Sequence, residues 1–290
     1  MIRKPEIMLL EESLHRRLGK YAFSEDYHYV QYGYDGEQMF KEKFPLSLSY
    51  IQLFNICLKH HQHHFEVDRM IITGESIYAF DVKSYHRTFH NEGGVWRKEG
   101  KSIKSPMGQY EQMKEGMQAL MHYMGTHHNI VCKMIFIQPS FSIDQREVDI
   151  VFFKEIKDIM CGIKNEKSVG KLEMEMKQYF EQIQKPISLY KQRPIFNMKD
   201  VTPGILCDVC GMKIGLGKGN GMYTKCTCCE TRKSKEEWIR FALQEYQILV
   251  NRPINYTESV RWIGRAHRNL VKKVLEKHFN CTNGMYLFKT

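Results

Sequence analysis

Two runs dominate the hydrophobic pattern of the N-terminal half, FEVDRMIIT at 65–73 and SIYAFDVKSY at 76–85. Both are rich in β-branched and aromatic residues and too short for helices, so with Gly74-Glu75 between them they predict a β-hairpin. A first strand is predicted over 49–58 (SYIQLFNICL), followed by a histidine-rich loop, HHQHH, at 60–64. Ahead of it, DGEQMFKEKF from Asp35 reads as a helical stretch entered through Gly36. A further hairpin is expected at TFHNEGGVWRK (88–98), with Gly93-Gly94 as its tight turn. Residues 106–124 place Met, Leu and Tyr at helical spacing behind Pro106, a residue suited to a helix start. The unbroken apolar run 129–138 predicts a buried strand.

The remainder is more polar. A short helix is expected around 6–20, and a long charged helix over about 165–184, ending before Pro186, reads as a connector. Gly and Cys crowd 204–229, which cannot build a core alone, and three helical stretches follow at 234–249, 257–263 and 265–278. The expected organisation is an accessory segment (1–30), an α/β domain (31–164), a helical connector (165–200), a cysteine-rich module (201–233) and a helical domain (234–290).

Charge sharpens this division. The formal net charge of +10 is unevenly placed: residues 201–290 hold 15 Lys and Arg against 7 Asp and Glu, while the first 200 hold 28 against 26. A positive block of this kind suits a polyanion such as nucleic acid. No stretch of 18 apolar residues exists, which argues against a membrane partner. The opening residues, MIRKPEIMLLEESLHRR, carry no secretory pattern, so the expected address is cytoplasmic.

The candidate chemistry lies in the first hairpin. Alternate strand residues share a face, so Asp81 and Lys83 project together from the second strand. The pairing brings Asp68 of the preceding strand close to Asp81. Two carboxylates on one face repel unless a cation sits between them, and such an oxygen-rich pair suits Mg²⁺ or Mn²⁺. The carbonyl oxygen of Val82 is a candidate third ligand. A lysine beside that metal orients or deprotonates a water and steadies developing phosphorane charge. D-x-K alone is commonly a surface ion pair worth about 0–1 kcal/mol. Its place in an order of elements makes it informative.

That order, DGEQMFKEKF … FEVDRMIITGESIYAFDVKSY … GGVW … SPMGQYEQM, resembles the nuclease-related domain (NERD), a branch of the PD-(D/E)xK nuclease superfamily, over about residues 30–140. The resemblance implies a restriction-endonuclease-like α/β core, a mixed central sheet flanked by helices. By the same resemblance Glu37 matches the family's helical glutamate, Asp68 the first strand aspartate, Asp81 and Lys83 the acidic-x-Lys pair, and Gln109 the helix glutamine. Asp68 and Asp81 would then bind the metal, Glu37 assist directly or through water, and Gln109 position a phosphate or the lysine. Two departures are mild. Asp81 stands where Glu is commoner, and Glu66 stands where Gln is frequent.

Cys207-x2-Cys210 and Cys226-x2-Cys229, separated by fifteen residues, have the layout of a zinc ribbon with a closed, structural Zn²⁺ site. Cys228 leaves open which cysteines of the second pair are ligands. The histidines at 60–64 and His127-His128 read as solvated loops more readily than as metal sites. In the last segment a helix, Gly264 and a second helix have helix-turn-helix spacing, and Asn283-Gly284 supplies a wing turn. Arg265, Arg268, Asn269, Lys272 and Lys273 are the candidate nucleic-acid contacts on that helix.

The expected function is metal-dependent hydrolysis of phosphodiester bonds, endonucleolytic and in DNA rather than RNA. A double-strand cut would call for two sites and hence a homodimer. The alternative is a non-catalytic or partner-activated nucleic-acid-binding protein, with a regulatory helix-turn-helix on a silent nuclease fold.

Overall fold

The computed structural model describes residues 4–43, 47–147, 149–184, 193–217 and 221–289. The chain divides into two compact units, one centred on Tyr29–Tyr190 and the other made of Lys4–His28 together with Lys191–Thr290.

The first unit is built on a five-stranded mixed sheet. Strands β1 (Ile51–His60), β2 (His63–Ile72) and β3 (Ser76–Lys83) run antiparallel, and β7 (Asn129–Phe136) and β9 (Ile150–Phe152) continue parallel to β3, in the order β1-β2-β3-β7-β9. Helices cover both faces. Tyr110, Met113, Met117 and Leu120 of α3 (Met107–Met124) and Met176 and Phe180 of α5 (Lys171–Ile183) are buried with Ile77, Ala79 and Met134. On the other face Phe40 of α2 (Glu25–Lys43) and Ile156 and Ile163 of α4 (Ile156–Asn165) pack against Phe80, Val82 and Ile135. Each fully buried side chain of this size contributes about 1.5–3 kcal/mol by leaving water.

The fit is tight where α3 crosses β2: a Cβ added at Gly116 would stand 2.1 Å from the Phe65 ring. Glycine there lets the helix, and with it Gln109, lie directly on the sheet. A second sheet, β6-β5-β4-β8, combines β4 (Arg87–Glu92), β5 (Val95–Lys98), β6 (Lys101–Ile103) and β8 (Phe141–Ile143). It closes over Trp96, Phe136 and Phe141, the last two rings stacking at 3.8 Å.

Several sequence expectations are corrected. The DGEQ helix starts ten residues earlier, at Glu25, so Gly36 is interior to it and not its entrance. The histidine run is no loop: His60 ends β1 and His63 begins β2, leaving a two-residue turn. The charged helix begins at Lys171 and is no free connector, because Met176 and Phe180 are held in the core. Its exposed charges hid that buried stripe. Part of the stretch around Pro186 lies outside the described residues.

In the second unit the N-terminal segment is not an accessory. Leu10 and Leu14 of α1 (Glu6–Leu18) are buried with Trp238, Ala242 and Leu243 of α6 (Lys235–Val250). Arg17 is buried beside them. It donates to Glu245 Oε2 at 2.6 Å and to the Thr202 carbonyl at 2.7 Å, and lies over the Trp262 ring at 4.7 Å. Burial pulls its pKa down, and Glu245 opposes that fall. The charge is therefore paired rather than stranded.

The antiparallel pair β10 (Tyr223–Lys225) and β11 (Arg232–Ser234) leads into α6, and after it come β12 (Ile254–Asn255), α7 (Tyr256–Ile263), α8 (Arg268–His278), β13 (Phe279–Thr282) and β14 (Met285–Phe288), with strand order β12-β14-β13. This is a winged-helix arrangement with the wing turn at Asn283-Gly284, both residues in the left-handed region (φ 51° and 75°). Ser234 and Asn255 cap α6 and α7, each with a reciprocal glutamate three residues on. The last helix is shorter than its periodicity suggested: Arg265 sits in a separate 3₁₀ turn, Arg265–His267, and α8 starts at Arg268.

Candidate active site and cysteine cluster

The hairpin of β2 and β3 pairs only from Ile72–Ile77 to Arg69–Phe80. Continued one step, the same register would set Asp68 opposite Asp81, but there the strands part. Asp68 fills the gap: its Oδ2 accepts the Val82 backbone N–H at 2.6 Å, replacing a lost ladder bond. Within a strand a residue's N–H and C=O point to the same side, so the Val82 carbonyl faces this opening too. β3 meanwhile stays paired to β7 along its whole length, which keeps Asp81 and Lys83 on a rigid strand.

Alternation places the acidic residues together. Ile77 and Ala79 face α3, and so do Asp81 and Lys83 two and four positions beyond Ala79. Lys83 Nζ lies 2.7 Å from Asp81 Oδ1 and donates to Gln109 Oε1 at 2.9 Å, so the glutamine from α3 grips the lysine. Asp81 is buried, and its other oxygen, Oδ2, has no hydrogen-bond partner. Glu37 comes from α2 and accepts a hydrogen bond from Asn55 Nδ2 at 2.6 Å. Gly36 permits this approach, since a Cβ there would stand 2.8 Å from Ser84 Cβ.

The electrostatics follow from crowding. Desolvation lifts Glu37 to about 7; the Asn55 hydrogen bond opposes that rise, and the charges of Glu66 and Asp81 add to it. Desolvation, then Asp81 and Glu37, hold Asp68 well above the usual carboxylate range. Burial alone would lower the Lys83 ammonium, but Asp81 and Asp68 outweigh it and its pKa ends above the ordinary value. One lysine cannot neutralise this many acids. The partnerless Asp81 oxygen and the raised carboxyls are relieved by a further cation at this cluster. These carboxylates do not form a closed cage like that of the cysteines. An all-oxygen donor set of this kind suits hard cations as a class.

The structure thus brings Glu37, Asp68, Asp81, Val82, Lys83 and Gln109 to one place. Sequence reasoning missed Asn55. Its only signal was a lone amide inside an apolar strand.

Residues 32–138 match the family profile of the nuclease-related domain (NERD). The match covers this segment and not the rest of the chain. Neither a curated protein nor a solved structure matches the chain. The nuclease-related domain contains every residue of the acidic cluster, and its family implies a nuclease-related function with nucleic acid as the substrate class.

Outside that domain, the sulfur atoms of Cys207, Cys210, Cys226 and Cys229 lie within 4.8 Å of one another, the arrangement of a zinc ribbon. The two knuckles are built alike. Gly211 N donates to the Cys207 carbonyl at 2.9 Å and Glu230 N to that of Cys226 at 3.2 Å, with φ of 72° and 62° at these equivalent positions. Cys228 is exposed and outside the cluster, so the choice left open by sequence falls on Cys226. Among the described residues the histidines of 60–64 form no such group. Arg268, Asn269, Lys272 and Lys273 are exposed on α8, opposite the buried Val271, Val274 and Leu275; Arg265 is exposed in the turn before it. No described helix is long and apolar enough to cross a membrane.

Proposed function

We propose that this chain is a metal-dependent nuclease that hydrolyses phosphodiester bonds, with DNA favoured over RNA. The observation that carries the reading is the strand fork inside the nuclease-related domain, where Asp68, Asp81 and Lys83 converge with Glu37 and Gln109.

Asp68 and Asp81 are the residues to hold Mg²⁺ or Mn²⁺, with the Val82 carbonyl beside them. A bound divalent ion would supply Lewis acidity toward a phosphate oxygen and lower the pKa of water. Lys83, steered by Gln109, directs the attacking water and offers positive charge to the phosphoryl oxygens as charge develops there. Glu37 accepts a proton or orients water. The four-cysteine ribbon takes Zn²⁺ as a structural ion, since four protein ligands leave no open position.

The winged helix supplies substrate affinity. A helix with exposed Arg268, Asn269, Lys272 and Lys273 suits the wide major groove of B-form DNA, whereas the deep, narrow groove of A-form RNA excludes it. The test is to incubate the purified chain with supercoiled, linear and single-stranded DNA and matched RNA in Mg²⁺, Mn²⁺ or EDTA. DNA cleavage with either metal and none in EDTA is expected, with RNA cut more slowly. Cleavage that persists in EDTA would contradict the reading.

A further inference from the structure

Asn55 stands in the middle of β1 with a left-handed backbone (φ 49°), although no turn is needed there. The pairing of β1 with β2 keeps one register on both sides of it, Phe54 opposite Arg69 and Ile56 opposite Val67. Its effect is to reset the alternation. Ile51 and Leu53 before it and Ile56 and Leu58 after it all face the same core, and so do Phe65 and Val67 against Met70 and Ile72 on β2. The shared break falls at Asn55 and, in the same register, at Asp68.

The side chain has two ends with different fates. Nδ2 donates to Glu37 Oε2 at 2.6 Å. Oδ1 is shut off from solvent with no hydrogen-bond partner. Three buried side-chain oxygens among the described residues share that condition, and two of them, Asn55 Oδ1 and Asp81 Oδ2, sit on residues linked through Glu37, which takes the hydrogen bond of Asn55 and feels the charge of Asp81. Native proteins seldom leave such acceptors unmatched unless something else supplies the positive partner.

We propose that Asn55 is a member of the active site, holding Glu37 through its amide and presenting its carbonyl oxygen to the coordination shell of the divalent ion. The inference rests on the nuclease reading above. A neutral amide oxygen is a normal ligand for a hard cation and adds no repulsion to a cluster already crowded with carboxylates. Asparagine is also among the few side chains that accept a left-handed backbone, so one residue meets both demands.

The test is Mn²⁺ uptake by the full, zinc-loaded chain, read from the electron paramagnetic resonance signal of free Mn²⁺. The Asn55→Gly variant keeps the backbone freedom and removes both side-chain ends. It should bind Mn²⁺ about tenfold or more weakly, as losses around metal sites do, while the melting temperature of the zinc-loaded variant without added Mn²⁺ stays within a few degrees of the parent. Asn55→Asp gives up the donor to Glu37 but keeps an oxygen at the same reach, its added charge being offset by the bound ion, and should retain Mn²⁺ binding, which decides the matter if the glycine variant fails to fold. Parent-like affinity in Asn55→Gly, or a tenfold loss in Asn55→Asp, would overturn the proposal. A parent chain that takes up Mn²⁺ no better than Asp81→Asn would instead sink the nuclease reading, and this proposal with it.

Discussion

Asp68 accepts the backbone N–H of Val82 at 2.6 Å, so a side chain replaces a rung of the sheet where β2 and β3 separate. The same carboxylate is therefore both a structural acceptor and a charge in the acidic cluster. Substitution should separate the two roles. Asp68→Asn keeps an acceptor and removes a desolvated charge. Without added divalent ion the zinc-loaded variant should melt at or above the parent temperature, and Mn²⁺ should no longer stabilise it. Asp68→Ala leaves the Val82 N–H unmatched and should cost roughly 1–3 kcal/mol. Calorimetry of both zinc-loaded variants with and without Mn²⁺ checks this; equal melting of the two without Mn²⁺ would deny Asp68 its place in the fork.

Glu37 gives the metal-free chain an unusual pH response. Its folded pKa of about 7 lies above the ordinary 4.5, so the folded state binds the proton more tightly than the unfolded one. Stability from this group is present below pH 4.5 and is lost as pH rises through 7, the reverse of a salt-bridged carboxylate. Melting temperatures of the zinc-loaded chain without added Mg²⁺ or Mn²⁺, between pH 5 and 8, should fall more steeply for the parent than for Glu37→Gln. Addition of Mg²⁺ should flatten the parent's curve. Identical slopes for both proteins would contradict the assignment.

Gly36 sets the distance between α2 and the end of β3. In Gly36→Ala the new Cβ meets Ser84 Cβ at 2.8 Å, both attached to backbone, so the helix must shift and take Glu37 with it. The variant should stay folded by circular dichroism yet lose cleavage on the order of a hundredfold, as misplaced catalytic groups do. Adding Ser84→Gly should restore a large part of it. No rescue would show that the helix position is not what matters.

The cysteine cluster separates into four ligands and one bystander. Elemental analysis should find one zinc per chain in the parent and in Cys228→Ser, and none in Cys226→Ser. Loss of the ion removes binding energy of about 10–16 kcal/mol from a module with little core of its own. Cys226→Ser should therefore expose the ribbon to proteolysis. Zinc retained in Cys226→Ser and lost in Cys228→Ser would reverse the assignment.

The parts of this chain that sequence made legible are those with a strong period or fixed spacing. The β2–β3 hairpin, the Gly93-Gly94 turn and α3 followed from alternation, turn chemistry and helical spacing, and the paired cysteines from their intervals. The acidic pair followed from strand geometry, and Glu37 and Gln109 only from resemblance. What stayed hidden depends on tertiary contact. Met176 and Phe180 look like stray apolar residues in a charged helix until the sheet they cover is known. Arg17 reads as one more surface base, yet it is sealed against Glu245 and Trp262. Asn55 interrupts an apolar strand without a turn signal, because its reason is Glu37, eighteen residues earlier.

The central claim is that Lys83, between Asp81 and Gln109, serves phosphodiester cleavage. The most direct test is the cleavage rate of supercoiled DNA by the parent and Lys83→Ala in Mg²⁺ and Mn²⁺, with zinc content and DNA affinity measured on the same samples. The variant should bind DNA and zinc as the parent does and cleave slower by on the order of a thousandfold, the scale of a lost acid–base or charge-stabilising group. Equal rates from both proteins would place the chemistry elsewhere and contradict the assignment.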